Sequence, residues 1–315
     1  MATQTIALSA LKPSKRTQSA DAGAPSPSPA APQADADDED TYRLHRRFDR
    51  MGRLVGDRAM ARLFQSHVAV IGLGGVGSWA AESLVRSGVG RLTIVDFDLV
   101  CVTNANRQLH AMKGTTGKPK AEVMAERLRM INPRCEVEAI REFYNEGNSA
   151  EILGRGPDLV IDAIDNLAAK THLIATCYRQ GIPLVVSGGA SGRLDPTRIR
   201  EADITEVGGD PFLAATRKIL RQRHEMPRGD ARWGIPAIYS TEAPLDPLEL
   251  DYDGGQGFKC VCPQGQNSPH ACEHRNVIYG TASFVTGAFG LACAAAAVRT
   301  ILGDALPHPV APVRS

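Results

Sequence analysis

From His67 onward the apolar positions fall into two arrangements that take turns along the chain. Short apolar runs, HVAVIG at 67–72, RLTIVDFD at 91–98, CEVEAI at 135–140, PDLVIDAID at 157–165 and IPLVVSGG at 182–189, have the length and composition of buried strands. Between them lie stretches with helical spacing: SWAAESLVRSG at 78–88, a segment carrying Ala121, Met124, Ala125, Leu128 and Ile131, and NLAAKTHLIATCYRQG at 166–181. Buried strands that alternate with helices belong in a parallel sheet with crossover connections. The expectation is an α/β fold with a doubly wound, mostly parallel sheet over about residues 65–190, its ligand held outside the carboxyl ends of the strands.

After Gly192 the regularity fades, and residues 193–276 hold short strand candidates among long irregular stretches. Long loops in a compact domain tend to carry function. Residues 277–298 are uncharged and long enough to cross a bilayer. They are rich in Gly, Ala, Ser and Thr with few large aliphatics, so a tightly packed interior helix is expected and no stable membrane insertion.

Composition adds two boundaries. Residues 1–40, with repeated Ser-Pro and Ala-Pro steps and a closing acidic run, are too poor in large apolar side chains to fold and read as a disordered tail. They fit neither an Arg-rich transit peptide nor a secretory signal. The expected organisation is this tail, a nucleotide-binding region at 41–192, a crossover with exposed loops and a closing helix of the same domain at 193–302, and a short tail at 303–315. The formal charge is +1, but the first forty residues hold more acids than bases and leave the remainder at +4. Seven scattered cysteines suit a reducing, cytoplasmic setting better than a disulfide framework.

The candidate chemistry begins at VIGLGGVGSW, where Gly72, Gly74 and Gly77 have G-x-G-x-x-G spacing after a strand and at a helix start. Such a loop lets the backbone approach a phosphate, which then meets the helix amides. Asp96 lies nineteen residues past Gly77, where a carboxylate accepts from a ribose, and Asp98 is expected on the same strand face. A nicotinamide-dependent oxidoreductase would fit these residues alone.

Residues 103–120 shift the balance. In TNANRQ, Asn104 and Asn106 offer neutral donors and Arg107 a planar multi-donor, while Lys120 in GKPK adds a mobile point charge at a helix start. Asp165, with Asn166 beside it, offers a carboxylate for Mg2+, a hard cation often held by one or two carboxylates together with phosphates. Singly these residues read equally well as turn formers, solvated charges and a helix cap. Together they describe a site for a triphosphate cleaved between its α and β phosphates.

Assembled in order, GLGGVG, DFD, TNANRQ, GKPK and DAIDN resemble the adenylating superfamily of ThiF, MoeB and the ubiquitin-activating enzymes. Within it, RFDRMGRLVGDRAM at 47–60, VCVTNANRQLHAM, VIDAIDN, IPLVVSGGASGRLDPTRI and YSTEA are most similar to the tRNA threonylcarbamoyladenosine dehydratase family, over about residues 44–302. The resemblance implies a Rossmann-like sheet of the ThiF/MoeB type, ATP with Mg2+, a homodimer and activation of a carboxylate. It implies Gly74, Asn104 and Arg107 at the phosphates, Asp96 at the ribose, Lys120 at the transition-state charge and Asp165 at the metal. It also implies an arginine lent by the partner subunit, here Arg47, Arg50 or Arg53, with Arg53 favoured; a solvated basic helix face explains the same three residues.

The substrate implied is tRNA carrying threonylcarbamoyladenosine, whose carboxylate ATP would activate for ring closure with loss of water. Residues 217–232, with six Lys/Arg against two acids, and Arg193, Arg198 and Arg200 upstream are the candidate tRNA contacts. An adenylyltransferase for a ubiquitin-like sulfur carrier is the alternative function, and a sulfur-transfer protein is a further candidate partner. The chain has no C-x-x-C pair and no cysteine between Cys177 and Cys260, which disfavours a carrier thioester. Cys260, Cys262 and Cys272 near His270 and His274 leave a zinc site open, although C-x-C is not the usual spacing.

Overall fold

The computed structural model describes residues 46–229, 231–248, 250 and 279–306. The expected tail at 1–40 and the Cys260, Cys262 and Cys272 cluster lie outside the described residues. After helices α1 (Asp49–Val55) and α2 (Asp57–Gln65) come β1 (His67–Ile71), α3 (Gly77–Ser87), β2 (Arg91–Val95), α4 (Lys120–Ile131), β3 (Glu136–Ile140), α5 (Glu146–Leu153), β4 (Leu159–Asp162), α6 (Leu167–Gln180) and β5 (Leu184–Ser187). The irregular half adds β6 (Ile199–Asp203), α7 (Pro211–Arg223), β7 (Pro236–Ser240) and α8 (Ser283–Leu302).

The strands form one sheet in the order β3-β2-β1-β4-β5-β7-β6. All neighbours are parallel except the edge strand β6, which runs antiparallel to β7. The chain reverses its direction of winding between β1 and β4, and such a switch point opens a crevice at the carboxyl ends of the two strands.

The continuous apolar character of the central strands has a direct cause. Val68 and Val70 of β1 face one core, with Met60, Leu63, Leu84 and Phe289, whereas Ala69 and Ile71 face the other, with Val160, Leu173 and Leu213. Alternate side chains enter opposite faces, and both faces are covered.

The uncharged segment near the end becomes α8, which packs in the first of these cores with Val285, Phe289, Cys293, Ala297 and Leu302 buried. Its small residues serve close approach to α3. A Cβ on Gly290 would stand 2.4 Å from the Val76 carbonyl oxygen, and one on Gly287 3.3 Å from the Trp79 indole. Each large apolar side chain buried here stabilises the fold by about 1.5–3 kcal/mol. Of the residues expected as a tail at 303–315, 303–306 are described. Gly303–Ala305 form a short 3-10 turn, and the Asp304 carboxylate accepts from Arg62 at 2.9 Å and Arg58 at 3.1 Å.

Candidate nucleotide site

Three loops meet at the switch point. The glycine loop leaves β1, and Gly72 takes φ +91°, a conformation open to glycine at little cost. A Cβ on Gly72 would lie 2.8 Å from the Ala163 carbonyl oxygen, and one on Gly77 would lie 1.8 Å from the Gly72 carbonyl oxygen. Those two glycines are required by the chain's own packing. Gly74 is different: a Cβ there would meet nothing within 4 Å. Packing among the described residues does not account for that glycine, and the loop backbone there is open to the approach of a ligand.

Asp96 secures this loop. Its buried carboxylate accepts from the Leu73 amide at 2.7 Å and, through the other oxygen, from the Asp98 amide at 2.9 Å. Each oxygen retains a second lone pair, so the geometry leaves Asp96 able to accept a further hydroxyl. The expectation that Asp98 shares the strand face of Asp96 is corrected, because β2 ends at Val95. The carboxylate of Asp96 captures the backbone two residues on and turns the chain out of the sheet.

Lys120 is likewise not a mobile charge. It opens α4, is buried, and its ammonium lies 2.7 Å from Asp98 Oδ2. Burial alone would depress the lysine, but Asp96 and Asp98 outweigh it and hold its pKa above the ordinary value. Burial raises the Asp96 carboxyl above its ordinary value, against the pull of Lys120 and with the help of Asp98. Asp98 thus pairs with the ammonium directly, and Asp96 acts on it through its charge.

The connection from Asp98 to Lys120 is pinned on itself, with Val100 N–H donating to Lys118 O, Gly117 N–H to Val100 O and Lys120 N–H to Asp98 O. Within it the Asn104 side-chain oxygen accepts from the Cys101 amide at 3.0 Å, fixing a 3-10 turn at Val102–Asn104. Asn106 Nδ2 donates to Thr281 O at 2.9 Å. Arg107 donates to Thr103 O at 3.0 Å and Asn106 Oδ1 at 2.9 Å, and its backbone carbonyl accepts from Trp79 Nε1. Its aliphatic stem lies 3.2 Å from where a Cβ on Gly75 would sit. Arg107 is therefore held against the glycine loop. Asn104 serves the turn with its oxygen rather than facing outward as a simple donor.

The third loop follows β4. Asp165 is exposed on it, and Asn166 caps α6 by accepting from the Ala169 amide at 3.1 Å. Among the described residues no cluster of three or more His, Cys, Asp or Glu side chains gathers around one point. A single exposed aspartate beside a phosphate loop fits Mg2+, which takes one or two carboxylates and leaves its other positions to phosphate and water.

Other candidates are dispersed. Arg53 is exposed and donates to Asp49 within its own helix at 3.0 Å, Arg47 donates to the Ile131 carbonyl at 2.8 Å, and Arg50 is exposed. None of them reaches the glycine loop within the chain. Of the basic run, Arg217 donates to Ile204 O at 3.0 Å, Arg221 stacks over the Trp233 ring at 5.4 Å and Arg232 pairs with Glu206. Lys218, Arg223 and Arg228 are exposed, and Arg228 lines a cavity of about 550 Å3 with Arg221, Thr205 and Glu206. Arg198 and Arg200 are exposed as well. Arg193 is a correction: it is buried, donating to the Glu242 and Gly189 carbonyls with its guanidinium 3.7 Å from buried Asp210. It supports the loop after β5 and offers no surface for a nucleic acid.

One pair went unseen in the sequence. Lys170 and Asp162 are both fully buried, with the ammonium 3.0 Å from the carboxylate. The signal was present, because Lys170 lies on the same helical stripe as Leu173, Ile174 and Cys177, all buried.

A doubly wound sheet with a glycine loop, an acid clasping that loop and an arginine laid beside it defines a nucleotide-binding α/β protein built for phosphate chemistry. Residues 48–314 match the model of the ThiF family. The chain belongs to that family. It is similar to the tRNA threonylcarbamoyladenosine dehydratase of Haemophilus influenzae, 43% identical over 78% of this chain and 88% of the relative. The same-named Escherichia coli protein is 39% identical over 82% of this chain and 94% of its own length. The crystal structure of the E. coli enzyme TcdA in complex with ATP matches with TM-score 0.71 at 38% identity, covering 83% of this chain and 96% of that one.

Proposed function

We propose that this chain catalyses the ATP-dependent dehydration of N6-threonylcarbamoyladenosine in tRNA, closing the threonyl side of the modification into a ring. The observation that carries it is the set of loops around Gly74, open to a phosphate and flanked by Arg107, Lys120 and Asp98, in a chain aligned along most of its length with dehydratases.

A carboxylate cannot expel oxide. Attack of its oxygen on the α-phosphorus of ATP expels pyrophosphate and makes that oxygen part of a phosphate leaving group. A nucleophile of the same modification then closes on the carbonyl carbon and AMP departs with the oxygen. The balance is loss of one water from the nucleoside. No protein nucleophile is needed, and the four described cysteines are buried thiols, with burial pushing Cys135, Cys177 and Cys293 up to about 12.

In this reading Gly72, Gly74 and Gly77 shape the phosphate loop, and Asp96 accepts from the ribose on its remaining lone pairs. Arg107 meets the phosphates together with the amide nitrogens of Asn104 and Asn106, the latter turning from Thr281, and Lys120 turns from Asp98 to the charge developing on them. Charge stabilisation by prearranged donors is the main source of acceleration in such a site. Asp165, with Asn166 beside it, would hold Mg2+, which supplies charge neutralisation when bound. An arginine from the N-terminal helix of a partner subunit, Arg53 first among the candidates, would complete the site. A homodimer is supported by the apolar stripe that α8 leaves exposed at Phe284 and Leu291. Exposed Lys218, Arg223 and Arg228 would meet the tRNA backbone, and unpaired thiols at the described cysteines suit a cytoplasmic setting. The sulfur-carrier reading would use the same ATP site.

The deciding experiment is mass spectrometry of nucleosides from modified tRNA incubated with the protein, ATP and Mg2+. A product lighter by one water is expected; an unchanged mass with protein that still hydrolyses or binds ATP would remove the dehydratase reading.

A further inference from the structure

The buried pair Asp162–Lys170 has no place in the adenylation chemistry, yet it lies under the loop that carries Asp165. Both side chains are fully buried. Taking two charges out of water costs several kcal/mol per ion, and well-packed apolar residues often serve a core as well or better. Lys170 also sits in the first turns of α6, where the helix dipole opposes a cation. Core packing alone is therefore a poor reason for this pair.

The remaining bonds of the pair converge on one residue. Asp162 Oδ1 accepts from the Ile164 amide at 3.0 Å, and Lys170 Nζ donates to the Ile164 carbonyl at 3.2 Å. Both backbone groups of Ile164 are thereby held, and its two dihedrals set the direction in which Asp165 departs. On one side the Ala163 amide donates to Ile71 O at 2.9 Å, beside the glycine loop. On the other, Asn166 is engaged as the cap of α6. The ring of Phe212 lies 5.4 Å from the ammonium and closes the site on the α7 side.

We infer that Asp162 and Lys170 are positioning residues that hold the Ile164 peptide groups so that the Asp165 carboxylate faces the metal–triphosphate complex. This rests on the proposed assignment of Asp165 to Mg2+. Carboxylate placement within a fraction of an ångström matters for a cation as demanding of geometry as Mg2+.

The test is calorimetric binding of ATP to the full-length protein, with Mg2+ and with EDTA, after thermal denaturation has shown each variant folded. Asp165→Asn should lose tenfold or more of the gain in ATP affinity that Mg2+ confers, and leave binding in EDTA within twofold. The double variant D162N/K170M, which removes both charges together, should show the same selective loss although neither residue touches ligand. A folded double variant with an undiminished Mg2+ gain, while Asp165→Asn loses it, would overturn the positioning role. An undiminished gain in Asp165→Asn itself would remove the metal assignment and the positioning role with it. Should the double variant not fold, Lys170→Arg keeps the charge while moving the donor; a threefold or larger loss of the Mg2+ gain is expected, and none would overturn the inference.

Discussion

The ammonium of Lys120 lies 2.7 Å from Asp98 Oδ2, and the lysine is almost wholly shielded from water while the aspartate is about one-third exposed. The ammonium is thus stored on a carboxylate at the edge of the crevice. Asp98 gives it a resting partner, and in the proposed site an incoming triphosphate would offer another. Replacing Lys120 by Ala removes the partner of Asp98 and, in the proposed mechanism, a donor to developing charge. Turnover should fall by about 10²–10³, the range for loss of one prearranged donor. Single-turnover measurement with saturating ATP checks it, and turnover near the parent's would detach Lys120 from the chemistry.

The glycines of the loop should separate by role. A Cβ at residue 77 collides with the Gly72 carbonyl at 1.8 Å, so Gly77→Ala should destabilise the fold by ~3 kcal/mol or more. At residue 74 the same Cβ meets open space. Gly74→Ala should therefore keep its denaturation midpoint while ATP affinity drops at least tenfold. Denaturant titration alongside calorimetry distinguishes the two; equal effects on stability would mean Gly74 is a packing residue.

Arg107→Ala should abolish detectable water loss from tRNA while leaving the fold intact. The guanidinium lies against the glycine loop and donates to neighbouring loop groups at Thr103 and Asn106. Nucleoside mass spectrometry and a melting curve on the same preparation decide it. Normal product formation would show the phosphate assignment to be wrong.

Acid should weaken the fold through His110. This ring is fully buried, its Nε2 pairs with Gln108 Oε1 at 3.0 Å, and burial, with help from Lys120 and Arg127, depresses its pKa to about 3. The unfolded chain takes up the proton near the ordinary histidine value of about 6.5. The stabilising preference for the neutral ring is thus complete above that value and is lost as pH falls from it toward the folded pKa. His110→Asn should flatten the slope of stability between pH 6 and 4 by about 1.4 kcal/mol per pH unit. Denaturant titrations across that range would show a parallel slope if the histidine were not responsible.

Charge reversal at Lys218, Arg223 and Arg228 together should raise KM for tRNA tenfold or more with kcat and melting temperature little changed, since all three are exposed. The effect should shrink at high salt, as phosphate contacts do. An unchanged KM would move the nucleic-acid surface elsewhere on the molecule.

Much of the first half of the fold is legible in the chain alone. Alternating buried strands and helices from His67 to Ser187 and the glycine spacing after β1 obey local rules, because strand burial and loop conformation are written in neighbouring residues. The second half resists the same treatment. The edge strand β6 pairs antiparallel with β7 across an intervening helix, and such pairing has no local signature. Charged residues are the hardest to place. Arg193 stands among the candidate nucleic-acid contacts in the sequence and Lys170 carries no reading there, yet each is buried beside an acid from another element, Asp210 in one case and Asp162 in the other, that folding brings to it. The sequence by itself determined the alternation of strands and helices from His67 to Ser187 and the glycine spacing after β1. The tertiary structure alone decided which charges meet, since the energy of burying a charge depends on the partner that folding brings within a few ångströms.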